Sequence, residues 1–130
     1  MKEINNWFKF AKDDLKVAEL ILKEEIFNQV CFHSQQVVEK VLKGYLSVEH
    51  KIIPKIHSLN DLLNLCIEIN KDFSNLIEMC FKLDKYYIPV RYPDALPGIL
   101  PEGLPQEKDA IEAISFAKKI MRFVKAKLKK

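Results

Sequence analysis

The most informative stretch of the chain runs from residue 27 to residue 48 and reads FNQVCFHSQQVVEKVLKGYLSV. It contains no proline, and its apolar residues recur at steps of three and four, which predicts an α-helix that is apolar over much of its circumference. The apolar members are Val30, Cys31, Val37, Val38, Val41, Leu42, Tyr45 and Leu46. We therefore expect this helix to be the most buried one, with other helices packed around it.

Four further segments show helical spacing, at about 5–23, from 58 onward, at 73–86 and at 106–127. Asn5 or Asn6 is suited to cap the first segment, and Ser58 followed by Asp61 to open the next. The apolar positions of the outer helices include Phe10, Ile77, Phe81 and Ile111. No strand with a clear period of two is recognised. The sequence therefore predicts an all-α, antiparallel up-and-down bundle of four to five helices.

A proline-rich segment separates the last two helices. Residues 88–105 hold five of the six prolines, and proline disfavours both helix interiors and central strands. A connection of this length is uncommon in a compact domain and is often functional or disordered. Its apolar residues, among them Tyr92, Leu96 and Leu100, predict a long loop that packs on the bundle before the last helix.

Composition fits one globular domain spanning residues 1–130, with 48% hydrophobic and 30% charged residues. The net charge is +3, but only Arg91 and Arg122 are arginines, which argues against a dedicated duplex-binding protein. The three cysteines are odd in number and far apart, so we expect reduced, buried thiols. We also expect no signal peptide, no membrane span, no cofactor and no metal, and a cytoplasmic location.

Polar side chains follow one line along the helix at 27–48. His33, Gln36, Lys40 and Lys43 are separated by steps of three, four and three and therefore share one face. The functional interpretation is a polar groove on the most buried helix. The alternative interpretation is structural, with Glu39 and Lys43 forming an exposed ion pair at four-residue spacing.

A second polar cluster follows the fourth helix and includes Arg91, Tyr92 and Asp94. Prolines on either side stiffen the segment, and an arginine held there suits a phosphate or carboxylate, with Tyr87 or Tyr92 available to stack on a base. The alternative is that Arg91 pairs with Asp94 or Glu39 and pins the loop to the bundle. His57, just before the Ser58 cap, is by itself more typical of a structural histidine.

Taken together, these residues resemble the HEPN domain family over essentially the whole chain. The resemblance rests on the helix that carries Gln35, Gln36, Glu39, Lys40 and Lys43, on His57 before the next helix, and on the Arg, Tyr, Pro, Asp run at 91–94. The family implies a bundle of four or five helices that is commonly dimeric, with proposed nucleotide binding. Several members act as partners of a separately encoded minimal nucleotidyltransferase in toxin–antitoxin pairs.

Other members of the family are metal-independent ribonucleases that use an arginine and a downstream histidine separated by four to six residues, of which the first is polar. This sequence departs from that pattern, because His33, His50 and His57 all precede Arg91. The site residues that the resemblance assigns to a nucleotide groove are Gln36, Lys40, Lys43, His57, Arg91, Tyr92 and Asp94. Arg91 and the lysines would meet phosphates, and Tyr92 would lie beside the base or sugar.

Three functions remain open from the sequence. The favoured one is a binding module, a homodimer that takes a nucleotide and partners a nucleotidyltransferase, rather than an enzyme. The second is a ribonuclease in which His57 or His33 replaces the missing histidine, since ribose activation needs a base and a cation; RNA is the less favoured ligand. The third is a purely structural role, in which the polar line and Arg91 fix the loop and the dimer.

Overall fold

The computed structural model describes residues 2–49, 55–87 and 103–128, with side chains from residue 6 onward. Within these ranges the chain forms five α-helices and one short 3-10 helix. They are α1 (Lys2–Leu22), α2 (Phe27–Glu49), α3 (Leu59–Ile69), the 3-10 helix (Lys71–Leu76), α4 (Ile77–Asp84) and α5 (Glu107–Leu128). The predicted all-α helical bundle is therefore confirmed.

Helix α2 lies at the centre of the bundle and contacts α1, α3, α4 and α5. Every apolar residue predicted on its buried face is at most 3% exposed. Helix α1 packs along it, and Ala11 and Ala18 on α1 are fully buried. Small side chains at such positions allow helices to pack closely. The prediction that α2 is the most buried helix is correct, and the position of every polar side chain on α2 follows from it.

The helix boundaries agree with the sequence at some ends and differ at others. Ser58 caps α3 as predicted, because its Oγ accepts the backbone N–H of Asp61 at 3.3 Å. The predicted cap at Asn5 or Asn6 is wrong, since α1 already begins at Lys2. The single helix predicted at 73–86 is instead a 3-10 helix followed by α4, and the side chain of Asn70 opens that 3-10 helix by accepting the N–H of Asp72 at 2.9 Å.

Several apolar residues that share helical stripes with the core are exposed. Phe10, Ile77, Phe81 and Ile111 are 50, 49, 71 and 52% exposed. The spacing of apolar residues gives the side of a helix that faces inward, but the arrangement of neighbouring helices decides how wide the covered strip is. These four residues therefore lie outside the strip that the neighbouring helices cover.

The cysteines behave as the sequence predicts. Cys31, Cys66 and Cys80 are free and buried, and burial raises the pKa of each thiol to about 12. They are therefore neutral core side chains at physiological pH. In the part of the chain that is described, no helix is both long enough and apolar enough to cross a membrane.

Replacing Phe73 by alanine should destabilise the bundle by about 3–5 kcal/mol, because a large aromatic side chain is removed from a closed core. Phe73 is fully buried. The centroid of its ring lies 4.5 Å from the ring centroid of Tyr45 and 5.2 Å from that of Phe123. Chemical denaturation measures the loss. The matched control is Phe81→Ala, which removes the same group from an exposed position and should change the free energy of unfolding by less than about 0.5 kcal/mol. Equal losses would show that Phe73 does not belong to a closed core.

Candidate functional site

A largely buried carboxylate on α1, that of Asp14, bonds to the first half of the polar line on α2. The Oδ1 atom of Asp14 lies 2.9 Å from Nδ1 of His33, and its Oδ2 accepts a hydrogen bond from Nζ of Lys40. His33 and Lys40 are two helical turns apart on α2, and Asp14 reaches between them from α1. The Asp14 side chain is only 12% exposed, so its negative charge is compensated inside the protein.

The surroundings of Asp14 shift its ionisation. Burial alone would raise the pKa of the Asp14 carboxyl, but the hydrogen bonds from His33 and Lys40, together with their positive charge, outweigh burial and hold the pKa below its ordinary value. Asp14 is therefore an anion at neutral pH and a structural link between α1 and α2.

The second half of the polar line forms a closed ring of hydrogen bonds. Gln36 Nε2 donates to Gln35 Oε1 at 2.7 Å and to Glu39 Oε1 at 3.3 Å. Glu39 Oε2 lies 3.0 Å from His57 Nδ1, and Gln35 Nε2 donates back to the backbone oxygen of His57 at 3.3 Å. The ring fixes both the main chain and the imidazole of His57 relative to α2.

The ring also selects the tautomer of His57. A carboxylate only accepts hydrogen bonds, and Glu39 Oε2 already accepts one from Lys43 Nζ at 3.1 Å, so Nδ1 of His57 must donate to it. A neutral His57 then carries its lone pair on Nε2. Because the side chain is 48% exposed, this second nitrogen can accept a proton or a hydrogen bond from a ligand.

The ion pair between Glu39 and Lys43 exists, but it is not the exposed pair of the structural interpretation. The two side chains are 7 and 8% exposed, and the Lys43 ammonium lies 5.9 Å from the ring centroid of Trp7. The reason is tertiary, since Trp7 on α1 packs over this part of α2. Lys43 is thereby held by a carboxylate and an aromatic face.

A cleft of about 700 Å³ opens between the start of α3 and the end of α4. Its lining residues are Ile56, His57, Ser58, Asn60, Asp61, Phe81, Lys82, Asp84, Lys85 and Tyr87. The rings of His57 and Tyr87 are stacked, with centroids 4.9 Å apart and an angle of 14° between their planes. Burial, and then the negative charge of Glu39, raise the pKa of Tyr87, so its hydroxyl is neutral. His57 belongs both to the hydrogen-bonded ring and to the cleft.

Asp84, the last residue of α4, joins the two walls of the cleft. Its carboxylate accepts hydrogen bonds from Ser58 Oγ at 3.0 Å, from the backbone N–H of Leu59 at 2.9 Å and from Asn60 Nδ2 at 3.2 Å. The backbone N–H groups at the start of a helix favour an anion. Here a carboxylate of the same chain fills that position and holds α3 and α4 together.

The structure brings some predicted site residues together. Gln36, Lys43 and His57 all bond to Glu39, while Lys40 is bound by Asp14. Both lysines that were expected to meet phosphates are thus paired with carboxylates. The remaining predicted residues, Arg91, Tyr92 and Asp94, lie outside the described residues.

Sequence reasoning gave no role to two organising carboxylates. Asp14 is three residues after Ala11 and four before Ala18, so a charge on the buried stripe of α1 was the signal that could have revealed it. Asp84 gave no such signal, because its partners lie 24 to 26 positions away in the chain. Among the side chains that the structure describes, no group of three or more His, Cys, Asp or Glu is arranged to hold a metal ion.

Asp14→Asn should destabilise the protein in a pH-dependent way. The lowered pKa of Asp14 means that its charge stabilises the folded state above about pH 4, the value for an unfolded aspartate, and that this stabilisation is lost as the pH falls through the lower folded-state value. We expect the free energy of unfolding to fall by about 1–3 kcal/mol at pH 7, a value typical of hydrogen bonds to a charged group, and to fall by less at pH 3. Urea denaturation at each pH measures both values. The control is Asp13→Asn, whose side chain is 59% exposed; equal losses at both pH values would contradict the role of Asp14.

Comparisons with known proteins agree with this fold. The sequence profile described as "HEPN domain" matches residues 4–127. A protein of Methanocaldococcus jannaschii named "Putative toxin MJ1304" is 30% identical over 132 residues, covering 95% of this chain and 86% of that protein.

Two solved structures are similar over nearly the full length of the chain. The crystal structure of ST0689, described as an archaeal HEPN homologue, is 33% identical and superposes with a TM-score of 0.78, covering 99% of this chain and 100% of that one. TT1696 from Thermus thermophilus is also 33% identical with a TM-score of 0.78, covering 98 and 99% of the two chains. The arrangement of helices and the sequence match both show that this chain belongs to the HEPN domain family.

Proposed function

We propose that the cleft between α3 and α4 binds a nucleotide and that the protein is the partner of a separately encoded minimal nucleotidyltransferase, in a pair of the toxin–antitoxin type. The relative named as a putative toxin, which is 30% identical, supports the toxin–antitoxin part of the proposal. The observation that carries the nucleotide part is the stacked pair of His57 and Tyr87 on the wall of the cleft.

The size and the lining of the cleft suit a nucleotide. Its volume of about 700 Å³ falls within the usual range for small-molecule sites. Flat aromatic rings offer a stacking surface to any nucleobase, and such stacking contributes about 1–3 kcal/mol per base. Phe81, 71% exposed, adds a third ring to the lining.

The phosphates are assigned to the cations of the cleft. Lys82 and Lys85 both line it and come from α4 and the residue after it, close in sequence to Tyr87. Lys40 and Lys43 already compensate Asp14 and Glu39, so in this proposal they hold the site together. Direct contact with a phosphate falls to Lys82 and Lys85. Arg91, which lies outside the described residues, keeps the phosphate role that the family resemblance assigns to it. The acidic Asp84 offers little repulsion, because its carboxylate is bonded to the start of α3.

Tyr87→Leu should weaken ATP binding about tenfold or more, because leucine keeps apolar volume but removes the stacking surface. Tyr87→Phe keeps the ring and should bind within about twofold of the unmodified protein. Isothermal titration calorimetry with ATP measures both. If the two variants bind equally well, the base does not stack on this wall.

Two further variants test the phosphate assignment in the same titration. Lys85→Ala and Arg91→Ala should each weaken ATP more than adenosine, because adenosine has no phosphate. The matched control is Lys118→Ala, since Lys118 lies on α5 and pairs with Glu19 at 2.8 Å, away from the cleft lining. Unchanged heats for Arg91→Ala would remove that residue from the site.

A reading frame for a small nucleotidyltransferase beside this gene would supply the partner for co-purification.

One observation favours a second function, cleavage of RNA without a metal. His57 is held at Nδ1 by Glu39 at 3.0 Å and keeps Nε2 for a proton, an arrangement that suits a general base. In this reaction Nε2 takes the proton of a ribose 2′-hydroxyl, and the oxygen attacks the adjacent phosphorus. The 5′ oxygen then leaves with a proton from solvent, and a 2′,3′-cyclic phosphate remains.

If the second function holds, protein treated with a chelator should cleave single-stranded RNA, and His57→Ala should remove the activity. Glu39→Gln should lower the rate, because a neutral amide holds the imidazolium less well than a carboxylate. Gel electrophoresis with cyclic-phosphate detection reads the products. The absence of cleavage by the unmodified protein eliminates this function and leaves nucleotide binding untouched.

A further inference from the structure

The wall of the cleft at the start of α3 has an uneven balance of hydrogen-bonding groups. The Asp84 carboxylate accepts hydrogen bonds from three donors of this wall, namely Ser58 Oγ, the Leu59 N–H and one N–H of the Asn60 amide. A carboxylate has no donor to give in exchange. The groups that this wall keeps for a ligand are therefore mainly acceptors, among them the amide oxygen of Asn60.

The carboxylate of Asp61 is an acceptor of this wall that the protein does not use. Asp61 lines the cleft, is exposed and lies in the first turn of α3. In a complete capping box, the side chain three residues after the cap reaches back to the backbone N–H of the cap residue. Here only the other half forms, in which Ser58 Oγ accepts the Asp61 N–H at 3.3 Å. No group in the described part of the chain bonds to the Asp61 carboxylate.

A free carboxylate distinguishes one nucleobase from the others. Its two oxygens can accept two parallel N–H groups at once. Guanine presents two adjacent donors on its Watson–Crick edge, N1–H and the 2-amino group. On the same edge adenine and cytosine have one amino donor beside a ring nitrogen that accepts, and uracil has one N–H between two carbonyl oxygens. The carboxylate therefore matches guanine and faces a lone pair of each other base.

We propose that the cleft prefers guanine nucleotides, and that Asp61 selects the base by accepting N1–H and N2–H of guanine. This inference rests on the proposed function, because the base reaches Asp61 only if it enters the cleft and stacks on His57 and Tyr87. Both rings share the cleft lining with Asp61. Lys82 and Lys85, assigned to the phosphates, come from the α4 side of the cleft, so the base edge and the phosphates contact different walls.

Two other roles for Asp61 predict a different pattern of binding. A carboxylate in the first turn of a helix is stabilised by the helix dipole, but that role affects folding and not the choice between nucleotides that differ only in the base. A metal ion shared between Asp61 and the phosphates would strengthen the binding of GTP and ATP alike. The ratio of the two affinities therefore isolates the contact with the base.

Isothermal titration calorimetry with the full-length protein measures this ratio. GTP should bind about tenfold tighter than ATP, a difference typical of a hydrogen bond to a charged group. Inosine triphosphate lacks the 2-amino group and should bind more weakly than GTP. Asp61→Asn should abolish the preference for GTP over ATP. It should also strengthen binding of xanthosine triphosphate about fivefold or more, because the new amide donates to the 2-oxygen of xanthine and still accepts N1–H.

The matched control is Glu68→Gln, which removes an exposed carboxylate from the same helix, away from the cleft lining, and should leave the ratio of affinities within about twofold. Circular dichroism confirms that each variant is folded. Equal affinities for GTP and ATP, both weakened by Tyr87→Leu, would overturn the guanine preference and leave the nucleotide site in place. A preference for GTP that persists in Asp61→Asn would also overturn the proposal. If none of these nucleotides binds, the proposed function itself fails, and the guanine preference fails with it.

Discussion

The carboxylate of Glu39 is the charge on which the candidate site depends. It stands on the central helix at 7% exposure, where an anion without partners would cost several kcal/mol. Three groups compensate it: the Lys43 ammonium, the Gln36 amide and the His57 imidazole. Lys43 is itself buried, and Gln36 is held by its hydrogen bond to Gln35. The position of the Glu39 carboxylate is therefore fixed, and it determines where His57 lies and which nitrogen the imidazole presents to the cleft.

The bundle and the cleft are therefore parts of one arrangement. Core packing holds α2 between α1, α3 and α5, and α2 in turn holds the loop residue His57 through the hydrogen-bonded ring. Asp84 fixes the opposite wall by bonding the end of α4 to the start of α3. A ligand site between two helix ends needs this kind of support, since loose walls lose the geometry that binding requires.

Buried charge also distinguishes the two halves of the polar line. Asp14 faces His33 and Lys40 from α1 and links the first two helices, whereas Glu39 links α2 to the connection before α3. The first cluster stabilises a contact between long helices, and the second positions a side chain at the rim of a cleft. Similar residues on neighbouring turns of one helix thus serve different purposes, according to the element that packs above them.

The sequence by itself determined the helical class, the central position of α2, the Ser58 cap and the state of the cysteines, because each follows from local spacing or from residue type. It also grouped Gln36, Lys43 and His57, which the structure joins through contacts with Glu39; their role in binding a ligand stays a prediction. Only the tertiary structure decided that the lysines of α2 are paired with Asp14 and Glu39, and that Phe81 is exposed. The physical reason is that burial and charge pairing depend on which helices meet, and residues that meet across the bundle are far apart in the chain.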